Sequence, residues 1–145
     1  MWCLLMKWFS KHIILFIVGG SAYYIAEILW RGYSHWSMFI LGGLCFVLIG
    51  GLNNWFTWDM SLLKQGIIGA ATITFLEFCF GVVLNLWLGL HIWDYSNLPF
   101  NIYGQICPQF ALLWVVLSII AVVVDDWLRY LLFNEERPRY NFITS

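Results

Sequence analysis

A chain of 145 residues has room for one domain, and 62% apolar against 10% charged residues excludes an ordinary soluble one. Seven basic against eight acidic residues leave a net charge of -1, with no basic block long enough for a nucleic-acid surface, so that partner class is excluded. Cys3, Cys45, Cys79 and Cys107 are scattered one per segment, without C-x-x-C or His/Cys clustering, which argues against a disulfide framework or a metal site.

Residues 1–12 (MWCLLMKWFSKH) mix tryptophan with lysine and read as a lead-in lying in the headgroup zone. They lack a small-residue cleavage site, so the apolar run that follows is expected to be retained and not removed as a signal peptide. Residues 13–30 form the first expected span. Gly20, Tyr24, Glu27 and Arg31 share one face there, and Glu27 and Arg31 are spaced to pair. The turn RGYSHWS (31–37) is short enough to make the next helix antiparallel. The second span, 38–53, carries Gly42, Gly43, Gly50 and Gly51 on one side, where small residues let helix backbones approach closely. Residues 53–65 form a loop whose Trp55 and Trp58 mark an interface.

The third span, 66–88, holds the chain's central feature. Gly66, Ala70, Thr74, Glu77, Gly81 and Asn85 follow one another at helical spacing and make a small, polar face, opposite Ile67, Phe75 and Leu86. Glu77 lies about eleven residues in, roughly 16 Å along the axis and near the middle of a hydrocarbon core ~30 Å thick. An ionisable group at that depth should face protein or a wet cavity. The alternative is a structural role, with Glu77 hydrogen-bonded to Thr74 or to a facing carbonyl and pinning two helices. Residues 91–108 (HIWDYSNLPFNIYGQICP) are too polar to span and read as a structured outer loop, with Asp94 and Ser96 capping local turns. The fourth span, 109–128, extends to about Phe133. Asp125 and Asp126 at its end are expected to be solvated or paired with Arg129. Residues 134–145 form a solvated tail.

The expected fold is therefore all-α, an antiparallel bundle of four membrane spans with one structured extracellular loop. Lys7, Lys11, Lys64, Arg129, Arg137 and Arg139 fall on one side and Arg31 on the other. The positive-inside rule then predicts a multi-pass protein of the cell membrane with both termini and the tail in the cytoplasm. Glu27, Arg31, His35, Asn85, Asp94 and Asn101 concentrate toward the outer half. They are candidate binding residues for a vestibule that ends at Glu77 and takes a cation, a proton or a polar headgroup. H-x-x-x-H and H-E-x-x-H are absent, so no metal site is expected. Ser96 and Cys107 lack a nucleophile signature, and no catalytic residue is assigned. No phosphate cradle or other cofactor motif appears, so any ATP dependence would come from a separate subunit.

Three strings carry a resemblance: YIAEILWRGYSHWSMFILGGLCFVLIGGLN at 24–53, ITFLEFCFG at 73–81 and WDYSNLPFNIYGQICPQFALLW at 93–114. Together they resemble a family of small bacterial four-helix membrane proteins, the ABC-transporter permeases of the CmpB type. The resemblance spans roughly residues 10–130. Its pattern falls on Glu27, Arg31, Gly32, His35, Gly42, Gly43, Asn53, Glu77, Gly81, Trp93, Asp94, Tyr95, Asn101, Gly104 and Cys107. It implies a permease-like transport component, and the mid-membrane Glu77 suits it as the ion or proton site. Four helices enclose little more than a narrow slot, so a path would need a homo-oligomer or a membrane-protein partner, with membrane lipid around it and an ATPase subunit as a further candidate. The alternatives are a non-catalytic assembly or regulatory module, or an enzyme acting on a lipid or lipid-linked substrate with Glu77 or Asp94 as base and His35 as acid.

Overall fold

A computed structural model describes residues 1–56 and 58–143, and among them every regular element is helical. The elements are α1 (Trp2–Arg31), α2 (Trp36–Gly50), a single turn α3 (Leu52–Trp55), α4 (Leu62–Gly81), which passes directly into a π-helical segment (Val82–Trp87), and α5 (Pro108–Phe133). Four stretches are long and apolar enough to cross a membrane: Trp2–Arg31, Trp36–Trp55, Leu62–Trp87 and Pro108–Phe133. The chain is thus a multi-pass, all-α membrane protein. Thr57 of the expected 53–65 loop and the last two tail residues lie outside the described residues.

The lead-in expected at 1–12 is helical and continuous with the first span. No glycine or proline occurs in residues 1–12 to break the ladder, and the thirty residues of α1 give roughly 45 Å of helix, more than a hydrocarbon core of ~30 Å needs. The helix stops at Gly32, which adopts φ 82° and donates its N–H to Ile28 O at 2.8 Å. Only glycine takes that left-handed conformation without cost.

The chain divides into two compact units. The first is Met1–Thr57 with Ala121–Arg139, and the second is Trp58–Ile120 with Tyr140–Ser145. In the first unit α1 and α2 form an antiparallel hairpin packed by exchange of glycines and aromatics. A Cβ built at Gly19 would strike Phe46, and one at Gly20 would meet Phe39 O at 2.5 Å. Reciprocally, Gly42 faces Tyr23 at 2.6 Å and Gly43 faces Phe16 O at 2.7 Å. Each helix therefore lends the other a groove, the contact that membrane helices need when apolar burial offers them no drive to associate. The second half of α5 completes the unit through Val122, Asp125, Asp126 and Arg129, all buried. Gly50 has no side chain where the Asp125 carboxyl lies.

In the second unit α4 packs on the first half of α5. Gly66 leaves room for Ile119, whose Cγ1 would stand 2.7 Å from an added Cβ, and for Val115 O at 3.0 Å. The polar face read from the sequence is the buried one: Gly66, Ala70, Glu77, Gly81 and Asn85 are buried and Thr74 is half-buried, while Ile67, Phe75 and Leu86 are exposed. The tail is not simply solvated. Asn141 O and Phe142 O accept the N–H groups of Leu62 (2.8 Å) and Leu63 (3.1 Å), which a helix start leaves without intrahelical partners.

A candidate functional site: a carboxyl group tied to a polar loop and the last helix

Glu77 is 5% exposed, and both of its oxygens are engaged. Tyr95 Oη donates to Oε1 at 2.7 Å, and Trp114 Nε1 donates to Oε2 at 3.0 Å. One donor comes from the loop that follows the third span and the other from α5, so a single side chain of α4 fastens both. The Tyr95 ring lies flat on Phe110 of α5, with centroids 4.6 Å apart at 13°, which holds its hydroxyl in place. Thr74 is not the partner: its Oγ1 is buried without a hydrogen bond. No ion pair involves Glu77 among the described residues, and both of its donors are neutral.

One turn beyond Glu77 the helix widens. The π-helical segment contains Asn85, buried at 4%, whose Oδ1 accepts the Ile92 N–H at 2.7 Å and whose Nδ2 donates to Gln105 Oε1 at 2.8 Å. Gln105 is itself 3% exposed and donates to Tyr103 O at 2.9 Å. Gly81 makes this possible, because a Cβ there would come within 2.5 Å of Gln105 Oε1. Trp93 Nε1 donates to Gln105 O at 3.0 Å. The loop is thus pinned to the end of the third span by buried polar contacts, each of which would be costly to leave unmade.

Within the loop, Asn101 Nδ2 donates to Leu98 O at 2.8 Å, and its Oδ1 accepts the Gly104 N–H at 2.9 Å. Tyr95 N–H bonds Gly104 O at 2.7 Å, and Ile102 pairs with Ile106 across a one-residue bridge. Asp94 is exposed. It accepts bonds from the Ser96 hydroxyl and, at 2.9 Å, from the Ser96 N–H, and those bonds hold its carboxyl below the usual aspartate range, with a smaller contribution from His91. Asp94 and Asn101 therefore shape the loop as local turn residues.

Glu27, Arg31 and His35 belong to the first unit, while Glu77, Asn85, Asp94 and Asn101 belong to the second. Arg31 Nη2 contacts Glu27 Oε1 at 2.6 Å, Ser34 Oγ donates to Glu27 Oε2 at 2.7 Å, and Arg31 lies 5.0 Å above the Tyr33 ring. His35 is the N-cap of α2: its Nδ1 accepts the Ser37 N–H at 3.3 Å and lies 2.7 Å from Ser37 Oγ. These three residues organise the turn between the first two helices.

Of the two alternatives expected for Asp125 and Asp126, pairing with Arg129 is the one found for Asp125, and neither carboxylate is solvated. Asp125 is fully buried and Asp126 is 3% exposed. Arg129 Nε donates to Asp125 Oδ2 at 2.5 Å, and Asn53 Nδ2 donates to Asp126 Oδ2 at 2.6 Å. The signal in the sequence is the spacing of Val122, Asp125 and Arg129 on one helical face, with Gly50 at the end of α2 against Asp125. No group of three or more potential metal ligands occurs among the described residues. An apolar groove of about 760 Å³ in the second unit is lined by residues including Ala70, Thr74, Phe78, Pro108 and Ala111, and Glu77 is not part of its wall.

A family model described as "Putative ABC-transporter type IV" matches residues 14–143. No curated protein and no solved structure matches the chain.

Proposed function

The chain belongs to the CmpB-type family of ABC-transporter type IV proteins, and from that membership we propose that it is a membrane-embedded subunit of an ABC-type transporter whose ATPase is a separate chain. In this reading Glu77 is a latch, not an ion site. The observation that carries it is the occupation of both carboxyl oxygens, one by Tyr95 of the loop and one by Trp114 of α5. A group so engaged is held in place, and what it holds is the polar outer loop that a partner subunit or an arriving solute would meet. The paired glycines of α1 and α2 are already filled by aromatics within the hairpin, so association with other subunits would use the many apolar side chains that the four spans leave exposed.

A second reading keeps Glu77 as the mid-membrane ion or proton site. It is favoured by one feature, a buried acid whose two donors are both neutral. An enzyme with Glu77 as base fits less well, since the apolar groove able to take an acyl chain does not include that residue in its lining.

Purification of the tagged chain from membranes in mild detergent tests the first reading. The expected result is co-purification with ATP-hydrolysing activity that survives reconstitution into vesicles. Recovery of the chain alone, with no ATP hydrolysis in any fraction that contains it, would contradict the proposal.

A further inference from the structure

In the first unit a cavity of about 260 Å³ is lined by residues that include Trp8, Lys11, Trp55, Arg129 and Glu135. We propose that it is a binding site for a phosphate group, supplied by an anionic lipid headgroup or by free phosphate, and that the Glu135 carboxylate is its tethered internal occupant.

The argument starts from Arg129, which is 3% exposed. Its Nε is bonded to Asp125, but Nη2 is buried without any hydrogen-bond partner, and Nη1 stands 3.8 Å from Glu135 Oε2, too far for a hydrogen bond. The other oxygen of Glu135 contacts Lys11 Nζ. A planar carboxylate with two oxygens thus satisfies the lysine and leaves most of the guanidinium fork unmet. A tetrahedral oxyanion has more oxygens to offer. It can bridge Lys11 and the two Nη groups at once, the geometry for which arginine is suited.

Glu135 is built to leave. It follows Asn134, a left-handed residue (φ 54°) just beyond the end of α5, and its side chain is 26% exposed. Its departure removes one negative charge from beside Lys11 and Arg129. Asp125 remains as the counter-charge, bonded at Nε. Trp8 and Trp55 line the same cavity and are largely exposed, the residue type that settles at headgroup level, which places a lipid phosphate within reach.

The test uses the full chain in phosphatidylcholine nanodiscs with and without phosphatidylglycerol, counting retained phosphatidylglycerol by native mass spectrometry. Glu135→Gln is expected to raise retention about tenfold, the scale of one charge-assisted contact, and adding Lys11→Gln to abolish the gain. A parallel titration with inorganic phosphate, followed by phosphorus NMR, separates the sources. The same ranking of variants for phosphate alone assigns the site to the free ion, and ranking for the lipid alone assigns it to the headgroup. Both positions are partly exposed, so the variants should fold, and a circular dichroism melt checks this. Equal retention and equal phosphate binding across the folded variants would overturn the proposal.

Discussion

Glu77 and Trp114 lie thirty-seven residues apart in sequence and are joined by an indole N–H donating to a buried carboxyl oxygen at 3.0 Å. That bond fastens α4 to α5 through a side chain that is itself buried. Trp114→Phe keeps a smaller aromatic ring and removes the donor, leaving a buried oxygen unmet. It should destabilise the second unit by about 1–3 kcal/mol, read from the midpoint of denaturant unfolding followed by helicity. An unchanged midpoint would show that the bond is not maintained in the membrane.

The hairpin of the first two helices rests on size matching. Gly19→Ala drives a methyl group into Phe46, and overpacking of this kind costs about 1–3 kcal/mol. In a Phe46→Ala background the same Gly19→Ala change should cost less than it does alone, because the clash is gone. Unfolding of the single and double variants measures the coupling; additive losses would contradict reciprocal packing.

Arg129→Met leaves the fully buried Asp125 without its cation. Removing one partner of a buried ion pair costs about 3–5 kcal/mol, so the variant should unfold at markedly lower denaturant or fail to accumulate. Exchanging both partners for apolar groups, with Asp125→Leu added, should recover much of the loss. Failure of the double change to recover any stability would place the defect elsewhere.

The pH response of the loop between the third and fourth spans follows from Asp94. Its carboxyl is held below the usual aspartate range by the Ser96 hydroxyl and N–H. A depressed acid contributes stability that is present above the unfolded value of about 3.9 and is lost as pH falls through the folded one. The loop should therefore keep its order from neutral pH down to about 4 and loosen below that. Carbon NMR of Asp94 follows the titration, and Ser96→Ala should move its midpoint upward. A midpoint unmoved by Ser96→Ala would mean that the Ser96 hydroxyl is not the cause.

Much of this was legible in the sequence because helical spacing is local. The face running from Gly66 to Asn85 was readable, as was the pairing of Glu27 with Arg31, since both depend on residues three and four apart. What Glu77 bonds to was not: Tyr95 and Trp114 reach it from segments whose approach is set by packing, whereas Thr74 was the only hydroxyl at local spacing. The π-helical segment at Asn85 was hidden for the same reason, because the side chain is drawn in by Ile92 and Gln105 of the loop. Gly50 was readable as a packing residue, but not that its packing partner is the Asp125 carboxyl. The extension of α1 to Trp2 was hidden because tryptophan and lysine describe a headgroup environment without saying whether the backbone is helical.

Latch and ion site are separated most directly by comparing Glu77→Gln with Tyr95→Phe in the reconstituted assembly, reading hydrogen exchange of the Ile102 and Gly104 amides alongside ATP hydrolysis. If Glu77 holds the loop, Tyr95→Phe removes the hydroxyl donor and Glu77→Gln removes one of the two acceptor oxygens, so both speed loop exchange and both change ATP hydrolysis in the same direction. Loss of ATP hydrolysis in Glu77→Gln, with Tyr95→Phe at the wild-type rate and loop exchange unchanged in both, would contradict the latch and make Glu77 itself the working group.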